Sequence, residues 1–224
     1  MSPEDLTPLA AHELAALPVF PLPRVVFFPG TRLPLHVFEP RYRQMMQDCL
    51  EHGPRAMAVA LLAPGWEEDY EGRPAIHTIA GAGRIIEHER RPDGRYDLAL
   101  YGAARVRLEE LPPDGLPYRR ARATIVADRM PHADAVQRAL TPLVATASAI
   151  AGRVRERYPA FDLGISASTP STLVADRIAD RLIADPETRQ ALLEQADLKV
   201  RLALLQDALA ELIATLETGR GTLQ

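Results

Sequence analysis

The sequence has one cysteine, one lysine and few aromatic residues, and each shortage excludes something. Cys49 cannot form an intrachain disulfide, which suits a reducing compartment, so we expect a cytoplasmic protein. Lys199 is the only lysine among 26 basic residues, and the net charge of −4 disfavours a general nucleic-acid binder. Aromatic residues make up 5% of the chain, so its core must consist mainly of aliphatic side chains.

Long apolar runs are also missing. The longest uncharged stretch, residues 139–152, is too short for a bilayer, which takes roughly 20 residues to span. The N-terminal segment 1–17 carries acids where a secretory signal would carry basic residues. We therefore expect neither membrane insertion nor secretion.

Residue patterns that are typical of catalysis or cofactor binding are absent from the sequence. No serine lies in a Gly-x-Ser-x-Gly turn, and a Ser–Lys dyad could use only Lys199, which we interpret as solvated. Gly81-Ala82-Gly83 lacks the third glycine of a dinucleotide loop. Cys49 and His52, three apart on a predicted helix, are too few for a zinc site. We predict no catalytic residues, no metal site and no cofactor.

Proline and glycine divide the chain near residue 131. Residues 1–131 hold 16 of the 20 prolines and 9 of the 13 glycines, and residues 132–224 hold the rest. Both residue types punctuate strands and turns and are disfavoured inside helices. The sequence therefore predicts an α+β protein with a β-rich domain over 1–131 and a helical bundle over 132–224.

Local patterns place elements within each domain. Apolar residues alternate over 96–100, and Pro92-Asp93-Gly94 before them is typical of a hairpin turn. One helix interrupts the strands, with Pro40 in its first turn and Gly53 at its C′ position. In the second domain, three helix starts are predicted at Thr141-Pro142, Thr169-Pro170 and Asp185-Pro186.

The last helix carries a heptad-like stripe of leucines. These are Leu198, Leu202, Leu205, Leu209, Leu212 and Leu216. The stripe predicts packing on the other helices, and a coiled-coil dimer is the alternative.

Five prolines crowd the segment 17–35, namely Pro18, Pro21, Pro23, Pro29 and Pro34. Because proline cannot donate to a ladder, the strands here should be edge strands or be broken by bends. Pro29-Gly30 predicts a tight turn after a short buried strand, Val25-Val26-Phe27-Phe28. An open edge of such a sheet could accept an extended peptide as an added strand.

Two further features are candidate contact sites. The acidic segment 64–72 contains Trp66 and Tyr70, which could either contact a partner or fold back over the barrel. Arginines, among them Arg105, are dense on the strands and could hold RNA or an acidic peptide if they converge on one face. This set comprises Arg84, Arg90, Arg91, Arg95, Arg105, Arg107, Arg119, Arg120 and Arg122.

Residues 17–111 resemble the N-terminal substrate-binding domain of Lon-type proteases. The likeness lies in LPVFPLPRVVFFPGTRLPLHVFEPRY at 17–42 and in IHTIAGAGRIIEHERRPDGRYDLALYGAARVRL at 76–108. Gly94 of the turn, Gly102 and Arg105 hold the family's places, while its usual Gly-Thr is replaced by Ala80-Gly81-Ala82. Residues 171–217 look like the family's helical continuation.

The resemblance implies a PUA-like pseudo-β-barrel with one inserted helix, followed by a helical bundle. It also implies recognition of unfolded or damaged polypeptides, in a chaperone-like or adaptor role. The motifs of the ATPase and Ser–Lys protease domains of Lon are absent, so the chain looks like a stand-alone bacterial form that is not an enzyme. RNA binding is the alternative, because PUA folds often bind RNA, and both a monomer and a homodimer fit the sequence.

Overall fold

The computed structural model describes residues 8–70 and 72–218, which form two compact units divided between Val126 and Ala127. Strands predominate in the first unit and helices make up the second, which confirms the predicted α+β class. The domain limits at 131 and 132 stay a prediction beside this division. Within the described ranges, no helix is both long and apolar enough to cross a membrane.

In its described residues, 8–70 and 72–126, the first unit has six strands, two α-helices and a short 3-10 helix. The strands are β1 (Leu17–Leu22), β2 (Arg32–Val37), β3 (Ala56–Leu61), β4 (Ile79–Arg90), β5 (Tyr96–Glu110) and β6 (Arg119–Ile125). The helices are α1 (Ala11–Leu14), α2 (Pro40–Glu51) and the 3-10 helix (Trp66–Asp69). The single helix predicted between the strands is α2.

The long strand β5 closes the sheet. The strand order is β2-β5-β4-β3-β1-β6, and β6 also pairs with β5. Residues 96–101 of β5 pair with β2, whereas residues 106–110 pair with β6. Five strands therefore form a closed ring and β2 lies outside it along β5, which is a pseudo-barrel.

The prolines of β1 and β2 lie where pairing is one-sided. Pro18 is opposite Arg120 of β6, before the ladder to β3 begins, and Pro21 is opposite Ala60 of β3, beyond the ladder to β6. Pro34 is in the middle of β2, the outermost strand in the order. The expectation of edge strands thus applies to β2, while β1 lies between two neighbours and loses one at each proline.

The predicted strand Val25-Val26-Phe27-Phe28 is wrong. These residues belong to no strand, although Phe27 and Phe28 are fully buried. Glycines in β4 and β5 let this backbone approach: a Cβ at Gly81 would lie 1.9 Å from the Phe27 carbonyl oxygen, and one at Gly102 would lie 2.1 Å from that of Phe28. A register shift after Ala82 accompanies the crossing, as expected for strand glycines.

A tight turn ends this crossing segment. Gly30 follows Pro29 with φ 70°, a left-handed conformation that glycine adopts without strain. Its N–H donates to the Gly102 carbonyl at 2.9 Å, and the Gly102 N–H donates to the Thr31 carbonyl at 2.9 Å. Gly102 is therefore fastened to the crossing segment on both sides, and the chain leaves the turn directly into β2.

Helix α2 covers one face of the sheet. It begins at Pro40 as predicted and buries Tyr42, Met45, Met46 and Cys49. Gly53 follows the C-cap without the left-handed conformation expected at C′, since its φ is not positive. Two apolar clusters lie on opposite faces of β3, one with α2 and Phe27, the other rich in alanine.

The second unit contains four helices in the part that the structure describes, which ends at residue 218. They are α3 (Ala133–Arg157), α4 (Ser171–Leu182), α5 (Pro186–Glu194) and α6 (Leu198–Glu217). Only the start at Asp185-Pro186 is confirmed, with the Asp185 side chain accepting the Thr188 N–H. Helix α4 begins one residue later than predicted, with Pro170 at its N-cap.

The start predicted at Thr141-Pro142 is wrong, because Pro142 lies inside α3. Val136, Leu140 and Leu143 are all buried, so the apolar stripe continues upstream through the proline. Packing of that face outweighs the cost of a proline inside a helix, which destabilises the helix by about 3 kcal/mol relative to alanine.

Helix α6 packs on the other three helices and carries a buried charge. Leu198, Leu202, Leu205 and Leu209 of its leucine stripe are buried, which fits the intramolecular packing prediction. Arg201 is 1% exposed; its Nη1 donates to Asp128 Oδ1 at 2.7 Å, and its Nε lies 3.5 Å from Oδ1 of the buried Asp176.

Replacing Gly102 by alanine should destabilise the first unit. The new Cβ would press on the Phe28 carbonyl, and overpacking of this kind costs about 1–3 kcal/mol. The urea midpoint of Trp66 fluorescence, which reports on the first unit, should fall. Gly152→Ala is the control, since its Cβ meets open space on α3; equal midpoints for the two variants would contradict the prediction.

Arg201→Ala should destabilise the helical unit by about 3–5 kcal/mol, because it removes one partner of the buried ion pair that Arg201 forms with Asp176. Urea unfolding followed by far-ultraviolet circular dichroism measures the loss. Arg153→Ala, at an exposed position on α3, should change the free energy of unfolding by only about 0.5 kcal/mol. Comparable losses in both variants would show that the buried charge cluster is unimportant.

Candidate functional site

An open groove of about 530 Å³ lies at the start of α2 in the first unit. It is lined by Phe38, Glu39, Pro40, Arg41 and Tyr70, and we call it the Phe38 groove. Phe38 is 57% exposed, the highest value among the large apolar residues that the structure describes in this unit. Single exposed apolar side chains are common on folded surfaces, but aromatic residues are enriched in protein interfaces, which makes Phe38 a candidate contact residue.

Glu39 organises the polar wall of the groove. One carboxylate oxygen accepts a hydrogen bond from the Tyr70 hydroxyl at 2.8 Å, and the other accepts one from Arg41 Nε at 2.9 Å. The Arg41 guanidinium lies 4.8 Å from the centre of the Tyr42 ring and 5.4 Å from that of Tyr70. These contacts fix the wall in one geometry before any partner binds.

Both tyrosines beside Arg41 keep their protons. Burial raises the pKa of Tyr42 to about 12. Burial also raises the pKa of Tyr70, and the hydrogen bond that its hydroxyl donates to Glu39 adds to this. The wall therefore stays a neutral aromatic pair with a compensated Glu39–Arg41 ion pair near neutral pH.

The 3-10 helix brings the predicted contact residues Trp66 and Tyr70 together. Their rings meet edge to face, with centroids 5.5 Å apart, and Trp66 is only partly exposed. The carboxylates of Glu67, Glu68 and Asp69 between them are exposed. The Trp66 ring thus packs against Tyr70 of the same segment, while the acidic residues face water.

Arg105, the third predicted contact residue, is not part of this surface. Its side chain is 3% exposed, and it lies on β5 opposite Gly81 of β4. Arg105 and Arg107 share one face of β5, as alternate residues of a strand do, but Arg107 is exposed whereas Arg105 is covered. Arg105 therefore offers no surface to a partner in this structure.

Most of the other arginines of this set are paired with acids. Six of the other eight form ion pairs, on the strands or in the turn between β4 and β5: Arg84–Glu13, Arg91–Asp97, Arg95–Asp93, Arg119–Glu110, Arg120–Asp114 and Arg122–Glu109. Arg90 lies over the Tyr96 ring. A phosphate-binding surface needs uncompensated cations, so these pairs do not favour the RNA alternative.

Phe38 was missed by the sequence reasoning, although a signal existed. Leu33, Leu35 and Val37 alternate toward the interior along β2, and Phe38 follows out of phase. An apolar residue out of phase with its strand points to the opposite side, where no core covers it. Glu39 and Arg41 gave no comparable signal, because their partner Tyr70 is distant in sequence.

Cys49 and His52 do not converge on a common ligand. Cys49 is buried on α2, whereas the His52 side chain at its C-terminal end is 81% exposed. Across residues 8–70 and 72–218, no group of three His, Cys, Asp or Glu side chains could hold a metal ion. Cys49 is a small core residue whose sulphur contacts the Ala56 carbonyl at 3.9 Å.

The fold is of the class in which a pseudo-barrel, here with the Phe38 groove on its surface, is followed by a helical unit. The chain belongs to the family of the ATP-dependent protease La (LON) substrate-binding domain, whose sequence profile matches residues 16–211. This family bears out the resemblance seen in the sequence.

Relatives and solved structures agree with this assignment. The chain is 31% identical to Lon protease 2 of Myxococcus xanthus over 86% of its length, and 30% identical to Lon protease of Anaeromyxobacter dehalogenans over 87%. It covers 23% of each of these relatives. A Lon N-terminal domain protein from Xanthomonas campestris is 25% identical, with a TM-score of 0.58 over 86% of this chain and 97% of that one.

A second solved structure supports the fold alone. The N-terminal domain of the Mycobacterium avium complex Lon protease has a TM-score of 0.68 at 17% identity. The match covers 88% of this chain and 98% of that domain. A match of this extent includes residues of both units.

The Cys49 thiol should be unreactive in the folded protein. Burial raises its pKa to about 12, so almost none is thiolate near pH 8, where an exposed cysteine is partly ionised. Its reaction with a chromogenic disulfide at pH 8 should be at least about a hundredfold slower than in the urea-unfolded chain. Similar rates before and after unfolding would contradict the burial described.

Proposed function

We propose that the protein binds unfolded or damaged polypeptides and does so without catalysis, as a chaperone-like or adaptor module. The observation that carries the proposal is the exposed Phe38 ring on a fixed polar wall. The family's description as a substrate-binding domain supports a recognition role. The single cysteine suits action in a reducing compartment, and binding should need no ATP.

An apolar anchor on a rigid frame suits polypeptides that expose what folded proteins bury. A partner's apolar side chain entering the Phe38 groove removes both surfaces from water, at roughly 25 cal/mol per Å² of apolar area. The Glu39–Arg41–Tyr70 contacts already hold the wall, so little ordering entropy is lost on binding. Recognition by shape and apolarity is tolerant of sequence, which a binder of diverse unfolded chains requires.

Strand addition is the weaker route to such binding. The hypothesis drawn from the prolines needs a free edge, and β2 has one on the side away from β5. Pro34, however, stands in the middle of β2 and offers no N–H to an incoming strand. We therefore assign recognition to side chains in the groove.

Phe38→Ala should weaken binding of a permanently unfolded model protein. Loss of a central aromatic anchor raises Kd by about tenfold, as measured by isothermal titration calorimetry with the full chain. The matched control is Ile125→Ala, which truncates another exposed apolar residue of the same unit, 45% exposed on β6. Its Kd should stay near that of the wild type.

The same measurements also give the results that would contradict the proposed function. Equal affinity of wild type and Phe38→Ala would remove the groove from the proposal. No measurable binding by the wild type would remove polypeptide recognition itself. Circular dichroism on each variant checks that it is folded.

A further inference from the structure

The acidic residues beside the Phe38 groove lack charge partners. Glu67, Glu68 and Asp69 precede Tyr70, which lines the groove, and all three are exposed. Among residues 8–70 and 72–218, no arginine, lysine or histidine forms an ion pair with them, although Asp69 accepts the Arg73 backbone N–H. The charges inside the groove cancel, because Glu39 and Arg41 pair at 2.9 Å. Glu67, Glu68 and Asp69, which we call the acidic rim, are therefore negatively charged, whereas the polar wall of the groove is neutral.

The spacing of this rim from the groove matches an extended peptide. A 3-10 helix rises about 2 Å per residue, so Glu67 and Glu68 lie roughly 4–6 Å along its axis from Tyr70. An extended chain advances about 3.3 Å per residue, and its side chains i and i+2 point to the same side. A peptide with one side chain in the groove thus presents its second neighbour to the rim.

We infer that the preferred segments carry a basic side chain two residues from the apolar or aromatic side chain that enters the Phe38 groove. The inference rests on the proposed function and adds the chemistry of the ligand. Charge complementarity selects such segments, and the same carboxylates repel acidic segments and other polyanions.

Three synthetic peptides that differ at one position test the inference. Each has a Phe-Ser-x core in neutral flanks, with x as Lys, Gln or Glu. Trp66 is the only tryptophan, and its ring contacts Tyr70 of the groove, so its fluorescence reports binding to the full chain. The lysine peptide should bind about threefold to tenfold more tightly than the glutamate peptide, and 1 M salt should abolish the difference.

Paired variants locate the effect. Glu67→Gln combined with Glu68→Gln should remove the preference for lysine and leave the affinity for the glutamine peptide unchanged. The control removes the same charge elsewhere, by Glu87→Gln with Glu89→Gln at exposed positions on β4, and should retain the preference.

The outcomes separate the two proposals. Equal binding of the three peptides, with all of it lost in Phe38→Ala, would overturn the charge preference and leave polypeptide recognition intact. Persistence of the preference in the Glu67/Glu68 variant would also overturn it. Absence of binding for every peptide and for unfolded protein would defeat the proposed function as well.

Discussion

The first unit depends on a close approach between two stretches of backbone. The segment through Phe27 and Phe28 crosses β4 and β5 at distances that only glycine permits, at Gly81 and Gly102. Two hydrogen bonds to Gly102 then fix the turn at Gly30, and that turn sets the start of β2. Because Phe38 follows β2 directly, the position of the candidate site depends on this contact.

The sequence predicted the elements that have local signals. Proline and glycine content separated a β-rich part from a helical part, and Pro40 marked the start of α2. It failed where long-range packing decides. Phe27 and Phe28 have the residue types of a strand but pack across strands, and Pro142 would end a helix were its buried face not continuous through Leu143.

The site was less predictable than the fold. Composition singled out Trp66 and Tyr70, which the structure brings together, and it added Arg105, which is buried. The burial of Arg105 and the hydrogen-bond partners of Glu39 both depend on contacts between residues that are distant in sequence. Such information is not contained in local spacing, so the polar wall of the groove could be recognised only in three dimensions.

Pro34 has a consequence for the protein's own solubility. The unpaired edge of a strand is a template to which other chains can add as further strands, and this leads to aggregation. Partly unfolded chains are the most prone to add in this way. A protein that binds such chains would pair with them along β2 if every backbone group on that edge could form a hydrogen bond. Because Pro34 has no backbone N–H, a strand added along β2 would lack a hydrogen bond at its centre. The polar side chains of Arg32 and His36 on either side are exposed to water.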